Sequence, residues 1–358
     1  MKILIDIGLF DDGRKSGIGH HIVSLMQKLK LFVQCDLAEY RYINMLPRYI
    51  KKWVYIAWSS FTSMYSKYEI VHHLNSFVPR KRGNELHIMT VYDLSVLLYP
   101  ETISFGWRHY NRHAFMKGLE RSDGLIVISE SVKKELLINY PRIDSQKVFF
   151  CPPGIRKSMI DIEPDSMQIE ALGLRPNGFF LFVGDLTKRK NLDFLLHAFI
   201  EAKEKGKIAT ETRLVLVGKP AWGFSELKSL IKEDLGIFRT GYLEDSSVAA
   251  LYRYCKALVY PTLYEGFGIP IVEAMWYKTP IIASAIPTSL ELHNRHNRQL
   301  LLFELGDKSK LMNLMENVDR NAEQLRAILD YGDISQYKYE AIAKKHVEIY
   351  KTVINRIR

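Results

Sequence analysis

What most constrains this chain is its second half, where continuous apolar runs alternate with helical patterns without a break. The runs FFLFVG (179–184), RLVLVGK (213–219), IFRTGY (237–242), ALVYPT (257–262), PIIASAI (280–286) and LLLFE (300–304) read as strands. Between them lie helical stretches: one with Leu192, Leu195, Leu196, Phe199 and Ile200 on a single face, then SELKSLIKEDLG (225–236), SSVAALYRYC (246–255) and IPIVEAMWYK (269–278). Strands that are apolar throughout, rather than at every second position, belong to a parallel sheet covered on both faces. Strict strand–helix alternation then predicts a doubly wound α/β domain.

The first half opens in the same way but is less regular. ILIDIG (3–8) ends at Gly8, a loop with Gly13, Gly17 and Gly19 follows, and Ile22, Leu25, Met26 and Leu29 then line one helix face. Further strands are expected at 69–73, 86–92, 124–128 and 147–151, whereas 31–68 shows no regular period. PPGIRKSMIDIEPDS (152–166), rich in proline and charge, reads as a linker. The predicted domains are therefore 1–165 and 166–335. A closing helix over 336–358 is expected to cross back onto the first domain. A chain of 358 residues has room for two such cores.

Composition narrows the classes. With 47% hydrophobic and 25% charged residues, neither a disordered nor a fibrous chain fits. A net charge of +10 favours polyanionic partners: nucleic acid, nucleotide phosphates or an anionic membrane face. Cys35, Cys151 and Cys255 are scattered and form neither a zinc motif nor a disulfide framework, as expected for a reduced, cytoplasmic setting. MKILIDIGLF is interrupted by Asp6 and reads as a first strand rather than a signal peptide. No run approaches the ~18 apolar residues of a spanning helix.

The densest chemical signal is PTLYEGFGIPIVEAM (261–275). Glu265 ends a strand, Gly266 and Gly268 form a tight turn, Pro270 lies early in a helix, and Glu273 sits inside it. Glycines let backbone N–H groups approach a ligand, and a helix N-terminus favours an anion there. The alternative is a plain strand–turn–helix corner with two solvated carboxylates. Arg189 and Lys190 follow a strand's C-terminal end, where α/β sheets place ligands, although basic loops are commonly solvated.

EGFGIPIVE (265–273) resembles the Glu-x7-Glu signature of retaining glycosyltransferase family 4, whose members resemble bacterial mannosyl- and hexosyltransferases of surface polysaccharide synthesis. GIG (17–19) is similar to that family's N-terminal glycine loop, and VYDLSVLLYPE (91–101) to its HDL…YPE segment. SDGLIVISESVKKEL (122–136), VGDLTKRKN (183–191) and PIIAS (280–284) followed by Glu291 match further family segments in the right order. The resemblance implies the GT-B fold, an α/β architecture of two Rossmann-like domains facing across a cleft.

It also implies residue roles. Glu265 contacts donor-sugar hydroxyls, Glu273 holds the ribose, and Gly266, Phe267 and Gly268 present backbone N–H groups to sugar and diphosphate. Arg189 and Lys190 grip the diphosphate and neutralise the leaving group, and Gly17 and Gly19 bring first-domain backbone to the same phosphates. The family's chemistry implies front-side displacement in which the departing phosphate oxygen takes the acceptor's proton, with no metal and no other cofactor. One departure stands out: where the family commonly has His before Asp93, this chain has Tyr92, which is read as a donor contact or as a buried strand-end tyrosine. Asp11 and Asp12 read as a solvated loop pair, and His109 and His113 as surface or acceptor-side residues.

RYIKKWVYIAWSSFTSMYSKY (48–68) sets Arg48, Lys51 and Lys52 beside Tyr49, Trp53, Tyr55, Trp58, Phe61 and Tyr65. That mixture suits a helix resting on an anionic membrane, and equally a helix packed into the first domain's core. The expected partners are a nucleotide-sugar donor, GDP-mannose weakly favoured, and a glycan or undecaprenyl-diphosphate-linked acceptor of O-antigen or capsule type. An anionic membrane surface joins them, and nucleic acid does not. The expected location is cytoplasmic, peripheral on the inner face of the cytoplasmic membrane. Rival readings are a GT-B nucleotide-sugar epimerase, a nicotinamide-dependent dehydrogenase, a basic nucleic-acid- or nucleotide-binding protein, and a binding protein without activity. No GxGxxG hugs a strand end, and no nucleic-acid-binding motif is present.

Overall fold

A computed structural model describes the chain apart from residues 9–16, 39, 41–42, 44–45, 62–63, 100–104, 221–226, 228 and 358, and apart from the side chains at 17, 18, 20, 48, 49, 52, 60, 61 and 105–110. Asp11, Asp12 and Gly13 therefore lie outside the described residues, as do the side chains of Arg48, Tyr49, Lys52, Phe61 and His109. The chain divides into two compact units, Met1–Arg156 with Gln336–Arg358, and Lys157–Ser335.

The first unit is built on a six-stranded, wholly parallel sheet in the order β2-β1-β3-β4-β5-β6. Its strands are β1 (Lys2–Asp6), β2 (Gln34–Leu37), β3 (Ile70–His73), β4 (Leu86–Val91), β5 (Gly124–Val127) and β6 (Val148–Phe150). The longer helices are α1 (Gly17–Leu29), α2 (Arg48–Phe61), α3 (Phe105–Arg121) and α4 (Glu130–Asn139). β3, β4 and β5 are buried at every position, as a sheet covered on both faces requires. One face is covered by α1 and by the C-terminal helix (Tyr339–Ile357), whose Ile342, Ala343, Val347, Tyr350 and Val353 share a core with Ile3, Ile5, Ile70 and Ile88. The segment from Gln336 thus belongs to the first unit.

The stretch 31–68, which lacks a sequence period, is held by polar contacts. Asp6 at the end of β1 is fully buried and accepts from Tyr40 and Tyr65 hydroxyls at 2.8 Å each and from the Gly8 N–H at 2.8 Å. His73, its register partner on β3, adds Nδ1 at 3.2 Å. Burial by itself raises the Asp6 pKa, but His73 and these donors outweigh it and hold the carboxyl below its usual value. β2, not foreseen from the sequence, is a short edge strand in which only Cys35 is buried.

The second unit carries a parallel sheet in the order β12-β11-β10-β7-β8-β9. Its strands are β7 (Phe179–Val183), β8 (Arg213–Val217), β9 (Ile237–Gly241), β10 (Ala257–Tyr260), β11 (Ile281–Ser284) and β12 (Leu301–Phe303). Helices α5 (Leu192–Glu204), α6 (Asp245–Tyr254), α7 (Ile269–Trp276), α8 (Pro287–Arg295) and α9 (Lys308–Ile328) cover it, and the C-terminal helix is α10. Leu192, Leu195, Leu196 and Phe199 of α5 bury one stripe against Phe180, Phe182, Leu214 and Leu216. The chain crosses from β9 back to β10 beside β7, so strand order reverses between β7 and β10. Crevices at such a reversal, outside the strands' C-terminal ends, are where doubly wound sheets bind ligands.

Two expectations need amending. The helix expected over 225–236 has only 227 and 229–236 among the described residues, and there the chain forms a short 3-10 turn (Glu233–Leu235) closed by Gly236 at φ 74°. A left-handed residue at that point ends any helix and feeds β9 directly. The expected linker also starts the second unit before 165. Ser158 bonds to Asp245, the Tyr277 hydroxyl to the Met159 carbonyl, and the Tyr254 hydroxyl to the Pro164 carbonyl at 3.2 Å. These contacts commit residues from Lys157 onward to the second unit.

Candidate active site

The reversal point is floored by glycines. Gly184 ends β7 at φ 147° and Gly218 ends β8 at φ 149°, with the Gly184 N–H donating to the Val217 carbonyl at 2.9 Å. A methyl group on Gly218 would stand 2.0 Å from the Gly184 carbonyl oxygen, so only glycine allows these two strand ends to meet.

Above this floor, the loop after β7 and the loop after β10 are tied together. The Leu263 N–H donates to the Arg189 carbonyl at 2.9 Å, and the Asn191 side chain donates to the Pro261 carbonyl at 3.1 Å. Asn191 itself is left-handed at φ 55° and starts α5. Ser284 of β11 steadies the same loop through the Thr262 carbonyl at 2.6 Å.

This tie brings three charges together. Arg189 Nη1 donates to Glu265 Oε1 at 2.9 Å and also to the Tyr264 carbonyl. Lys190 Nζ donates to the same Oε1 and to the Tyr260 hydroxyl at 3.0 Å, and the Thr262 hydroxyl lies 3.2 Å from that oxygen. The Glu265, Lys190 and Arg189 side chains are 12%, 10% and 23% exposed. Burial pushes the Glu265 carboxyl up, but Lys190 and then Arg189 reverse this and hold it below the ordinary glutamate value. The same burial, with Glu265 adding to it, raises the Tyr260 phenol well above its usual range.

Gly266, Phe267 and Gly268 are buried in the turn after Glu265, and Gly268, at φ 99°, starts α7 with Pro270 in its first turn. Glu273, within α7, is 2% exposed and accepts from the Tyr252 hydroxyl at 3.0 Å. Sequence reasoning missed Tyr252, Tyr260, Thr262 and Asn191. It also missed Thr187, whose buried hydroxyl in the Arg189 loop has no hydrogen-bond partner among the described residues.

Gly17, Gly19, Tyr92 and Asp93 belong to the first unit. Gly17 and Gly19 lie in the first turn of α1. Asp93 accepts from the Ser95 N–H at 2.9 Å and from its hydroxyl at 2.6 Å, starting the short helix Ser95–Leu98. Tyr92 packs edge-on to His21 with ring centroids 6.1 Å apart, and its buried hydroxyl has no hydrogen-bond partner among the described residues. Burial raises its phenol pKa. His113 is exposed. Among the described residues, no three His, Cys, Asp or Glu side chains cluster as a metal site.

The site in the second unit lies within residues 178–321, which match the sequence model of the family described as Glycosyl transferases group 1. This stretch is a glycosyl transferases group 1 domain. The domain's wider relatives point the same way. O-antigen chain mannosyltransferase B of Escherichia coli is 30% identical to this chain over 232 residues, which is 62% of this chain and 58% of that protein. O-antigen chain mannosyltransferase RfbU of Salmonella typhimurium is 26% identical over 70% of this chain and 65% of its own length. The chain thus spans less than two thirds of either relative. The crystal structure of Anabaena HepE with UDP-glucose covers all of this chain and 99% of its own at a TM-score of 0.69 and 17% identity. The fold is GT-B.

Proposed function

We propose that this chain is a retaining glycosyltransferase. It moves a hexose or deoxyhexose from a nucleoside diphosphate sugar to a glycan acceptor in O-antigen- or capsule-type polysaccharide synthesis. The observation that carries this reading is the meeting of Arg189 and Lys190 with Glu265 at the reversal point between β7 and β10. Two cations held over a glycine floor suit a diphosphate, and they neutralise the charge that grows on it as the glycosidic bond breaks. Glu265 and Glu273 are acceptor-only carboxylates, suited to sugar and ribose hydroxyls.

Mannose is the favoured sugar because both relatives above are named mannosyltransferases, and GDP-mannose follows as donor. The HepE complex keeps a uridine nucleotide in play. In the proposed chemistry, the bond from the anomeric carbon to the phosphate oxygen breaks, and the acceptor oxygen bonds on the same face. The acceptor's proton passes to the departing phosphate. Positioning and fixed charge supply the catalysis, and the reaction needs no metal, so activity should survive EDTA.

The acceptor is proposed to be lipid-linked. Trp53 and Ile50 on α2 are 59% and 41% exposed on a chain of net charge +10, as a peripheral contact with an anionic membrane requires. Trp58 instead lies partly buried, edge-on to Tyr40 at 5.3 Å. Among the described residues, no helix is long and apolar enough to cross a membrane. Trp53→Ser should weaken retention on anionic liposomes; retention at wild-type strength removes the membrane from the proposal.

Thermal melting with GDP, UDP, dTDP and their sugar conjugates tests the donor site, because a ligand of the folded state raises Tm by mass action. Stabilisation by one nucleotide, weakened in Glu273→Ala, is expected. A shift with NAD or an oligonucleotide alone would refute the reading.

A further inference from the structure

The two cations assigned to the diphosphate are already paired. Glu265 Oε1 receives Arg189 at 2.9 Å and also Lys190, with the Thr262 hydroxyl at 3.2 Å. All three charged side chains are mostly buried, so their attraction is screened far less than on an open surface. Lys190 and Arg189 keep the carboxyl ionised despite its burial. The loop therefore carries its own anion on the spot where an external one would bind.

A bare pair of basic side chains in such a place would collect phosphate, sulfate or pyrophosphate from solution. Glu265 makes each of those anions compete with a carboxylate held in place by the chain. A nucleoside diphosphate enters the same competition with further contacts, including those of its ribose, and these offset the loss of the ion pairs. An inorganic anion brings none.

We propose that Glu265 is a specificity-determining residue that acts as a built-in competitor for Arg189 and Lys190, excluding inorganic anions and yielding only to a diphosphate carried on a nucleoside. This rests on the diphosphate site proposed above. Its consequence is that donor binding frees the carboxylate from the cations, and the freed oxygens then accept from sugar hydroxyls. Recognition of the sugar is thereby coupled to occupancy of the phosphate site.

Isothermal titration in phosphate-free buffer, with pyrophosphate, GDP, UDP and dTDP as ligands, tests this on the wild type, Glu265→Gln and Glu265→Ala. The glutamine keeps the shape and the alanine removes the contact, so the two variants need not share a folding defect; melting curves confirm that each is folded. Both should bind pyrophosphate about tenfold or more tightly than the wild type, and should bind the preferred nucleoside diphosphate more tightly too. Pyrophosphate binding no stronger in either folded variant overturns the proposal. If the wild type binds none of GDP, UDP and dTDP yet both variants gain pyrophosphate, the competitor role toward inorganic anions stands and the nucleotide reading falls. If the wild type binds a nucleoside diphosphate and the variants bind it and pyrophosphate no better, the competitor role falls alone.

Discussion

The Tyr252 hydroxyl on α6 lies 3.0 Å from Oε2 of Glu273 on α7, both residues being almost wholly buried. A buried carboxylate holds its orientation only while its oxygens are satisfied, and Tyr252 fixes one of them. Tyr252→Phe removes that donor at nearly constant volume. With Glu273 on the ribose, the variant should raise KM for the nucleotide sugar about fivefold to tenfold and leave kcat within about twofold. Steady-state kinetics check this; an unchanged KM would place Glu273 away from the nucleotide.

The Asp6 cluster predicts a stability effect in the first unit. Asp6→Asn turns an ionised acceptor into an amide facing the Tyr40 and Tyr65 hydroxyls and the Gly8 N–H. Loss of several buried charge-assisted bonds should cost about 2–4 kcal/mol. Urea unfolding followed by circular dichroism measures it, and a change below about 0.5 kcal/mol would show that the cluster does not anchor the segment after β2.

Three buried histidines predict an acid-side loss of stability. Burial, with smaller charge effects, lowers His21 to about 3 and His87 to about 2; His346 falls to about 4 even though its bond to the Ile342 carbonyl favours the proton. In the unfolded chain each takes a proton near 6.5. Between those values the unfolded state binds more protons, so stability declines as pH drops below about 6.5, by up to about 1.4 kcal/mol per pH unit for each histidine. Denaturation at pH 7.5, 6 and 5 (chosen to span that window) should show the decline, with a shallower slope in His346→Gln. An identical slope in the variant would contradict the assignment.

The second unit was legible because its strands bury both faces, so Phe179–Val183 and Arg213–Val217 are apolar runs that chance spacing rarely produces. Residues 31–68 were not. Tyr40, Tyr55 and Tyr65 gather round Asp6 through contacts far apart in sequence, and no local period records such a meeting. β2 was missed because an edge strand with one buried residue has almost no apolar signal.

In the site, Arg189, Lys190 and Glu265 were each readable from their position after a strand. Their shared oxygen was not, because the strand order that makes β7 and β10 neighbours is a property of the sheet. Tyr252 was hidden for another reason. An aromatic on the inner face of a helix reads as core, and only its hydroxyl's partner reveals more. Asp93, placed with the donor by resemblance, shows a local bond to Ser95 that begins a helical turn.

Phosphorus NMR of purified protein with GDP-mannose, UDP-glucose and a dTDP-sugar, in the presence of a lipid-linked glycan extract, tests the central claim most directly. The account predicts that one of these donors is converted to its nucleoside diphosphate. Lys190→Met, which removes one of the two cations on the leaving group, should slow that release by about a hundredfold or more. Release from no donor, or release from a donor at the wild-type rate in Lys190→Met, would contradict it.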